Sequence, residues 1–261
     1  MAYFRCLYRF ILLILWFFVM FFYALIVRFL GGQGGYTAIR RLTKAAKIWS
    51  KGLSKILNIK IKVYGEIINV KGLIISNHLS YIDILVAGTI FPLRFTPKLD
   101  IANWPFLGWF IRCSKPIWVD RTSKRSSQKT LNEFINTLQH NINLLIFPEG
   151  TTTDGKEGLL PFKSTTFEAA VKGNLPVHPI LIHYKEDAHN LISWYDDTTL
   201  FDHVWKVFGM KQIEAEVHIL NTIALPSTDR KTFSSEIHKV MDAEYRKRYS
   251  KNINHYGFTC Y

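Results

Sequence analysis

Ser76-Asn77-His78-Leu79-Ser80-Tyr81-Ile82-Asp83 places a histidine and an aspartate either side of four residues, directly after the apolar run Gly72-Leu73-Ile74-Ile75. The run predicts a buried strand, and Ile82–Ile90, with Asp83 in its first turn, predicts a helix. His78 then lies in a strand-to-helix loop, where a rigid scaffold presents a side chain to a cleft. A carboxylate that accepts a hydrogen bond from one ring nitrogen fixes the tautomer and leaves the other nitrogen to take a proton from a hydroxyl. The spacing alone does not decide this. Nine His and ten Asp in 261 residues give about 0.3 such pairs by chance, so a loop histidine beside a helix-capping carboxylate remains open at this point.

Outward from that stretch the chain alternates short apolar runs with helical periodicity, the pattern of an α/β body. Ile61–Tyr64, Arg94–Lys98, Pro116–Arg121, Leu144–Phe147, Val177–His183 and Ile213–Ile219 are expected strands. The last alternates apolar with polar residues, as a half-exposed strand should. Trp104–Trp109 leads a short helix, and Ser126–Asn141, Thr165–Lys172 and Asp229–Tyr249 are expected helices. Lys185–Gly209 is rich in Trp, Tyr, Phe and His and carries no assignable period.

Three polar clusters fall at the carboxyl ends of apolar runs: Asn77-His78, Asp120-Arg121 and Glu149-Gly150-Thr151. In an open α/β sheet those ends converge on the crevice that binds ligands. Arg121 suits a phosphate gripped by two parallel hydrogen bonds. Gly150 admits close backbone approach, Thr151 and Thr152 add hydroxyl donors, and Lys98 and Lys163 would add positive charge. Each lysine reads equally as an exposed ion-pair partner.

The formal net charge of +13 is unevenly placed. Residues 1–65 hold eleven Lys or Arg and no Asp or Glu, and the remaining residues hold 22 basic and 20 acidic side chains. Phe10–Val27 is an unbroken apolar run between Arg9 and Arg28, about 27 Å long as a helix and near the hydrocarbon thickness of a bilayer. Arg28-Phe29-Leu30-Gly31-Gly32 offers no signal-peptide cleavage site. After the glycines, Tyr36–Leu57 sets Arg40, Arg41, Lys44, Lys47, Lys51 and Lys55 at helical spacing, which suits an anionic lipid surface. No nucleic-acid-binding module is visible, so nucleic acid is not an expected partner. The basic excess places the body on the cytoplasmic side. The expected division is a membrane-anchoring two-helix segment, 1–57, and a catalytic domain, 58–261. Cys6, Cys113 and Cys260 show neither metal-ligand spacing nor a paired pattern, so no metal is expected.

Residues 60–185 resemble the glycerolipid acyltransferases typified by bacterial 1-acyl-glycerol-3-phosphate acyltransferases. Asn77-His78-Leu79-Ser80-Tyr81-Ile82-Asp83, Trp118-Val119-Asp120-Arg121, Phe147-Pro148-Glu149-Gly150-Thr151-Thr152 and Leu175-Pro176-Val177-His178-Pro179-Ile180 match the family's four motifs in order. Two positions depart from the family pattern: Thr152 stands where an Arg is usual, and Ser164 where a Gly is usual.

The resemblance implies a mixed, largely parallel sheet flanked by helices, preceded by a membrane-embedded two-helix segment. It implies His78 and Asp83 as the catalytic pair, with Arg121, Glu149, Gly150, Thr151, Thr152 and Lys98 binding substrate. The implied reaction moves an acyl group from acyl-coenzyme A or acyl-carrier protein, as co-substrate, to the free hydroxyl of 1-acyl-glycerol-3-phosphate, giving phosphatidic acid at a bacterial inner membrane with no cofactor. Another lysolipid acceptor, such as a lyso-ornithine lipid, is the alternative that Thr152 keeps open. Outside that chemistry stand a non-catalytic lipid-binding protein on the same fold and a hydrolase in which water replaces the lysolipid hydroxyl.

Overall fold

The structure is a computed structural model that describes residues 1–30, 35–67, 72–120, 124–195, 198–224 and 229–254. Six strands, β1 (Ile59–Tyr64), β2 (Leu73–Ser76), β3 (Leu93–Arg94), β4 (Asn143–Ile146), β5 (Val177–Tyr184) and β6 (Ile213–Ile219), form one sheet in the order β1-β6-β5-β2-β4-β3. All neighbours are parallel except β5 and β6. The mixed, largely parallel α/β sheet is therefore as expected. β2 lies between β4 and β5 with its four residues buried. Ile74 faces one core, with the helices α1 (Ala2–Leu30), α2 (Gly35–Ile56), α3 (Ile82–Ile90) and α8 (Leu200–Gly209). Leu73 and Ile75 face the other, with α5 (Lys124–Gln139), α6 (Glu168–Gly173) and α9 (Arg230–Asn254). A strand covered on both faces must be apolar on both, which is why the run carries no alternation.

α1 is longer than the apolar run that announces it. Arg9 lies inside the helix, fully buried, and donates to the carbonyls of Phe208 at 2.9 Å and Met210 at 2.6 Å at the end of α8. A cation there meets carbonyls that have no partner within their own helix, which is how one charge is accommodated in so apolar an element. Cys6, Arg9 and Met20 are buried, while Phe4, Leu7, Ile11, Leu15, Phe18, Phe22 and Ile26 are exposed, so one apolar stripe packs on the body and another faces outward.

α2 divides its residues by type. Ala38, Leu42, Ala45, Ser50, Leu53 and Ser54 are buried, and Arg40, Arg41, Lys44, Lys51 and Lys55 are exposed. The small residues let helices approach closely: a side chain at Gly52 would collide with the Trp16 ring of α1. Lys47 folds inward and donates to Ile90 O at 2.6 Å, closing the end of α3. The second helix thus covers the sheet side that carries α3 as well as presenting its basic face outward.

Two expected strands differ. Arg94–Lys98 contributes only β3 to the sheet, and the part of Pro116–Arg121 within the described residues contributes none. The two segments pair with each other instead: Ile117 N donates to Phe95 O, Val119 N to Pro97 O, and Leu99 N to Val119 O. Pro97 and Pro116 lack the N–H that a full ladder requires. Lys185–Gly209 contains two helices, α7 (Glu186–Ile192) and α8.

Candidate active site

The carboxyl ends of β2, β4 and β5 lie side by side, because the three strands are parallel neighbours. They deliver His78, Glu149 and Tyr184 to one place. Asn77 extends the pairing of β2 with β5 by side chain: its Nδ2 donates to Ile182 O at 2.9 Å and its Oδ1 accepts from Ile182 N at 2.8 Å. The buried amide acts as one more peptide of the ladder and fixes where the loop leaves the sheet.

The next residues fold around one carboxylate. Asp83 Oδ2 accepts from Leu79 N at 2.7 Å and Ser80 N at 2.9 Å and lies 3.0 Å from His78 Nδ1. Its Oδ1 accepts from the Tyr184 hydroxyl at 2.6 Å. Asp83 reaches back from the first turn of α3 to satisfy amides that precede the helix, the reciprocal half of a capping box. In the tautomer whose Nδ1–H donates to Asp83, the imidazole presents Nε2 as its acceptor. Burial and the Asp83 carboxylate push the Tyr184 phenol well above its ordinary range, so it keeps its proton and donates. The His78 ring stacks on Phe147 with centroids 3.8 Å apart and planes 11° apart, and its side chain is 17% exposed.

The loop's remaining backbone groups are also held. Thr153 N donates to His78 O at 3.1 Å, and Trp194 N donates to Leu79 O at 2.8 Å. Tyr81 packs edge-on against Trp194 and His203. The aromatic interval that carries no period therefore serves as a buttress behind the histidine.

Glu149, expected among the substrate-binding residues, is buried with both oxygens engaged. Oε1 accepts from His78 N and Oε2 from Leu160 N, each at 2.9 Å. Burial raises its carboxyl from an ordinary 4.5 to about 7 against the opposing pull of those two donors. The folded state therefore binds a proton that the unfolded state has released. Stability from this group is greatest at low pH and falls as pH rises from 4.5 to 7, by about 3 kcal/mol in all. Between pH 5 and pH 7.5 the detergent-solubilised wild-type chain should lose about 2 kcal/mol of urea stability relative to Glu149→Gln. His183, whose imidazole is lowered to about 3 by burial, gains stability over the same range in both chains and cancels in the comparison. An unchanged pH dependence in Glu149→Gln would show that the group does not titrate there.

The other expected residues are more dispersed. Gly150 takes a positive φ of 76° with the Lys163 side chain lying over it, in the space a Cβ would need. Thr151 is exposed and Thr152 half-exposed. Lys98 is exposed and pairs by backbone with Val119. Arg121 lies outside the described residues. His178, in the fourth motif, sits at the opposite end of β5 from Tyr184 and is within 2.9 Å of Thr222 Oγ1 through Nδ1. Sequence reasoning missed Tyr184; its one signal is that it ends an apolar strand, as His78 and Glu149 do.

A histidine–carboxylate pair at the ends of parallel strands, with a free-facing imidazole nitrogen, is built for general-base chemistry on a hydroxyl. Residues 60–183 match the family model described as Acyltransferase, the stretch that holds all four motifs. It is 27% identical over 222 residues to the lyso-ornithine lipid O-acyltransferase of Rhizobium meliloti, across 78% of this chain and 74% of that one. It is 28% identical over 174 residues to the 1-acyl-sn-glycerol-3-phosphate acyltransferase of Neisseria gonorrhoeae, across 66% and 68%. The fold is shared with the crystal structure of the 1-acyl-sn-glycerophosphate acyltransferase PlsC of Thermotoga maritima. The TM-score is 0.65 and the identity 20%, over 95% of this chain and 97% of that one. With its outward-facing apolar helix α1, the chain is a membrane-associated acyltransferase.

Proposed function

We propose that the chain transfers a fatty acyl group from an acyl thioester to the free hydroxyl of 1-acyl-glycerol-3-phosphate, forming phosphatidic acid. The observation that carries this is the His78–Asp83 pair, held at 3.0 Å by Nδ1 so that Nε2 is left for the acceptor. Nε2 takes the hydroxyl proton as the acceptor oxygen bonds to the thioester carbonyl carbon. The tetrahedral intermediate then expels the thiolate, and the imidazolium returns the proton to sulfur. The substrate supplies the nucleophile, so no serine or cysteine is consumed. Asp83 stabilises the imidazolium; Phe147, Asn77 and Glu149 position the ring through the contacts described above.

Acyl-coenzyme A or acyl-carrier protein is the donor in this proposal. Lys98, Thr151, Thr152 and the backbone at Gly150 are assigned to the acceptor head group, as is Arg121, which lies outside the described residues, from its motif alone. A lyso-ornithine lipid is the second acceptor to consider. It is favoured by the half-exposed hydroxyl of Thr152 after Glu149-Gly150-Thr151, where the resembled family usually carries a cation, and by the R. meliloti relative.

The acceptor arrives from the bilayer. α1 touches the body from Cys6, whose thiol meets Trp205 O, through Phe17, whose ring meets Phe110, to Phe21, whose ring meets Trp109. A helix packed along the body over that length cannot stand upright in the bilayer without drawing the body in with it. We therefore place α1 within one leaflet, with the basic face of α2 on the cytoplasmic surface. Residues 1–57 then anchor the domain 58–261 and cover part of its core.

Membranes containing the wild-type chain, offered lysophosphatidic acid and lyso-ornithine lipid in parallel with a labelled acyl donor, test the proposal. Labelled phosphatidic acid in excess supports it, and exclusive product from the ornithine lipid replaces the acceptor. Release of labelled fatty acid with no lysolipid present would make the chain a hydrolase.

A further inference from the structure

The segment between Lys98 and Val119 leaves and re-enters the body at one place, where those two residues form a parallel bridge. Between them the turn Leu99–Asn103 and the helix α4 (Leu107–Cys113) close into an arm. Arg112 donates to Ala102 O at 3.0 Å and Gly108 N to Trp104 O at 3.0 Å, and Gly108 abuts Ala102 O with no room for a side chain. Where the arm reverses, Phe106 adopts φ 60° and ψ −54°, outside the regions open to a bulky side chain. This backbone delivers the Phe106 ring outward at 88% exposure, flanked by Trp109 at 57% and Trp104 at 39%. Strain at a rigid turn that holds an aromatic ring away from the core is not explained by packing.

The arm is continuous with α1. Phe21 meets Trp109 with centroids 4.2 Å apart and planes tilted by 32°, and Phe17 meets Phe110 at 4.5 Å. The exposed rings of the arm thus prolong the outward apolar stripe of Phe18, Phe22 and Ile26, and the exposed cation of Arg112 stands at the edge. Tryptophan and phenylalanine beside a cation suit the boundary between headgroups and acyl chains of an anionic bilayer.

We propose that the Leu99–Cys113 arm is a second membrane-docking element, with Phe106 and Trp109 entering the bilayer interface beside α1. This rests on the membrane association of α1 and not on the identity of the acceptor. Because the arm begins and ends at the Lys98–Val119 bridge, docking it holds that bridge, and Lys98 with it, close to the lipid surface.

The test uses the full chain with Phe106→Cys, Cys113→Ser and Cys260→Ser, labelled at position 106 with an environment-sensitive dye. It is bound to vesicles of phosphatidylethanolamine and phosphatidylglycerol. A second labelled chain carries Lys239→Cys on α9, across the sheet from α1, in place of Phe106→Cys. The dye at 106 should shift to the blue and be quenched by brominated acyl chains, and the dye at 239 should do neither. A dye at 106 that stays in water while the chain cosediments with vesicles overturns the proposal and leaves the rings to a protein partner or a second copy. In parallel, Phe106→Asp should lower transfer to vesicle-embedded lysolipid about tenfold while transfer in detergent micelles stays within about twofold of wild type. An equal change in both formats also counts against the proposal. A shifted dye on a chain that acylates neither acceptor would sink the acceptor reading alone.

Discussion

Replacing His78 with alanine is expected to lower acyl transfer by about four orders of magnitude or more while leaving the fold and membrane association unchanged. The rate falls because, among the described residues around His78, Asp83 is fully buried, Glu149 is buried with both oxygens taken by amides, and Tyr184 keeps its own proton. The fold survives because the loop is not held by the imidazole. Asn77 pairs with Ile182, His78 N and O are bonded to Glu149 and Thr153, and the amides of Leu79 and Ser80 remain on Asp83. The side chain itself contributes one face stacked on Phe147. Single-turnover transfer of a labelled acyl group, read beside vesicle cosedimentation and thermal unfolding, checks both halves. A variant with more than about a tenth of the wild-type rate would remove His78 from the chemistry, since a general base contributes at least 10²-fold.

His78 and Asp83 are legible in the sequence because their relation is local: one loop and the first turn of a helix bring them together. Tyr184 is 101 residues from Asp83, and only the parallel pairing of β2 with β5 makes them neighbours. The sequence places Glu149 at a strand end but does not say whether its oxygens point to solvent or to amides. Strands buried on both faces, such as β2 and β5, are equally visible, since their apolar runs need no partner to be recognised. Arg94–Lys98 and Pro116–Arg121 read as strands because extended segments look alike whether they join a sheet or pair with each other. The same limit applies to Arg9, which bounds the apolar run by composition yet lies buried inside α1. Its partners are carbonyls about 200 residues away, at separations of 199 and 201.

Asp83→Asn is expected to cost about 10³-fold in kcat with little change in the Michaelis constant for the lysolipid. The substitution is nearly isosteric, and its contacts can largely be kept. The amide oxygen can take over the three contacts of Oδ2, those from Leu79 N, Ser80 N and His78 Nδ1. The amide nitrogen then faces the Tyr184 hydroxyl, which can turn to accept where it formerly donated at 2.6 Å. What the variant cannot supply is the negative charge. In a buried site the imidazolium that forms as the acceptor loses its proton would stand without a counter-ion, and that penalty falls on the transition state and not on the bound substrates. The alternative orientation, with the amide nitrogen toward His78, would impose the wrong tautomer and set two N–H groups against Leu79 and Ser80, so it should also lower the unfolding midpoint. Measuring kcat, the Michaelis constant and thermal stability together separates the two cases. A normal midpoint with a 10³-fold loss assigns the effect to charge, and a kcat within tenfold of wild type would show that Asp83 orients the loop without assisting the proton transfer.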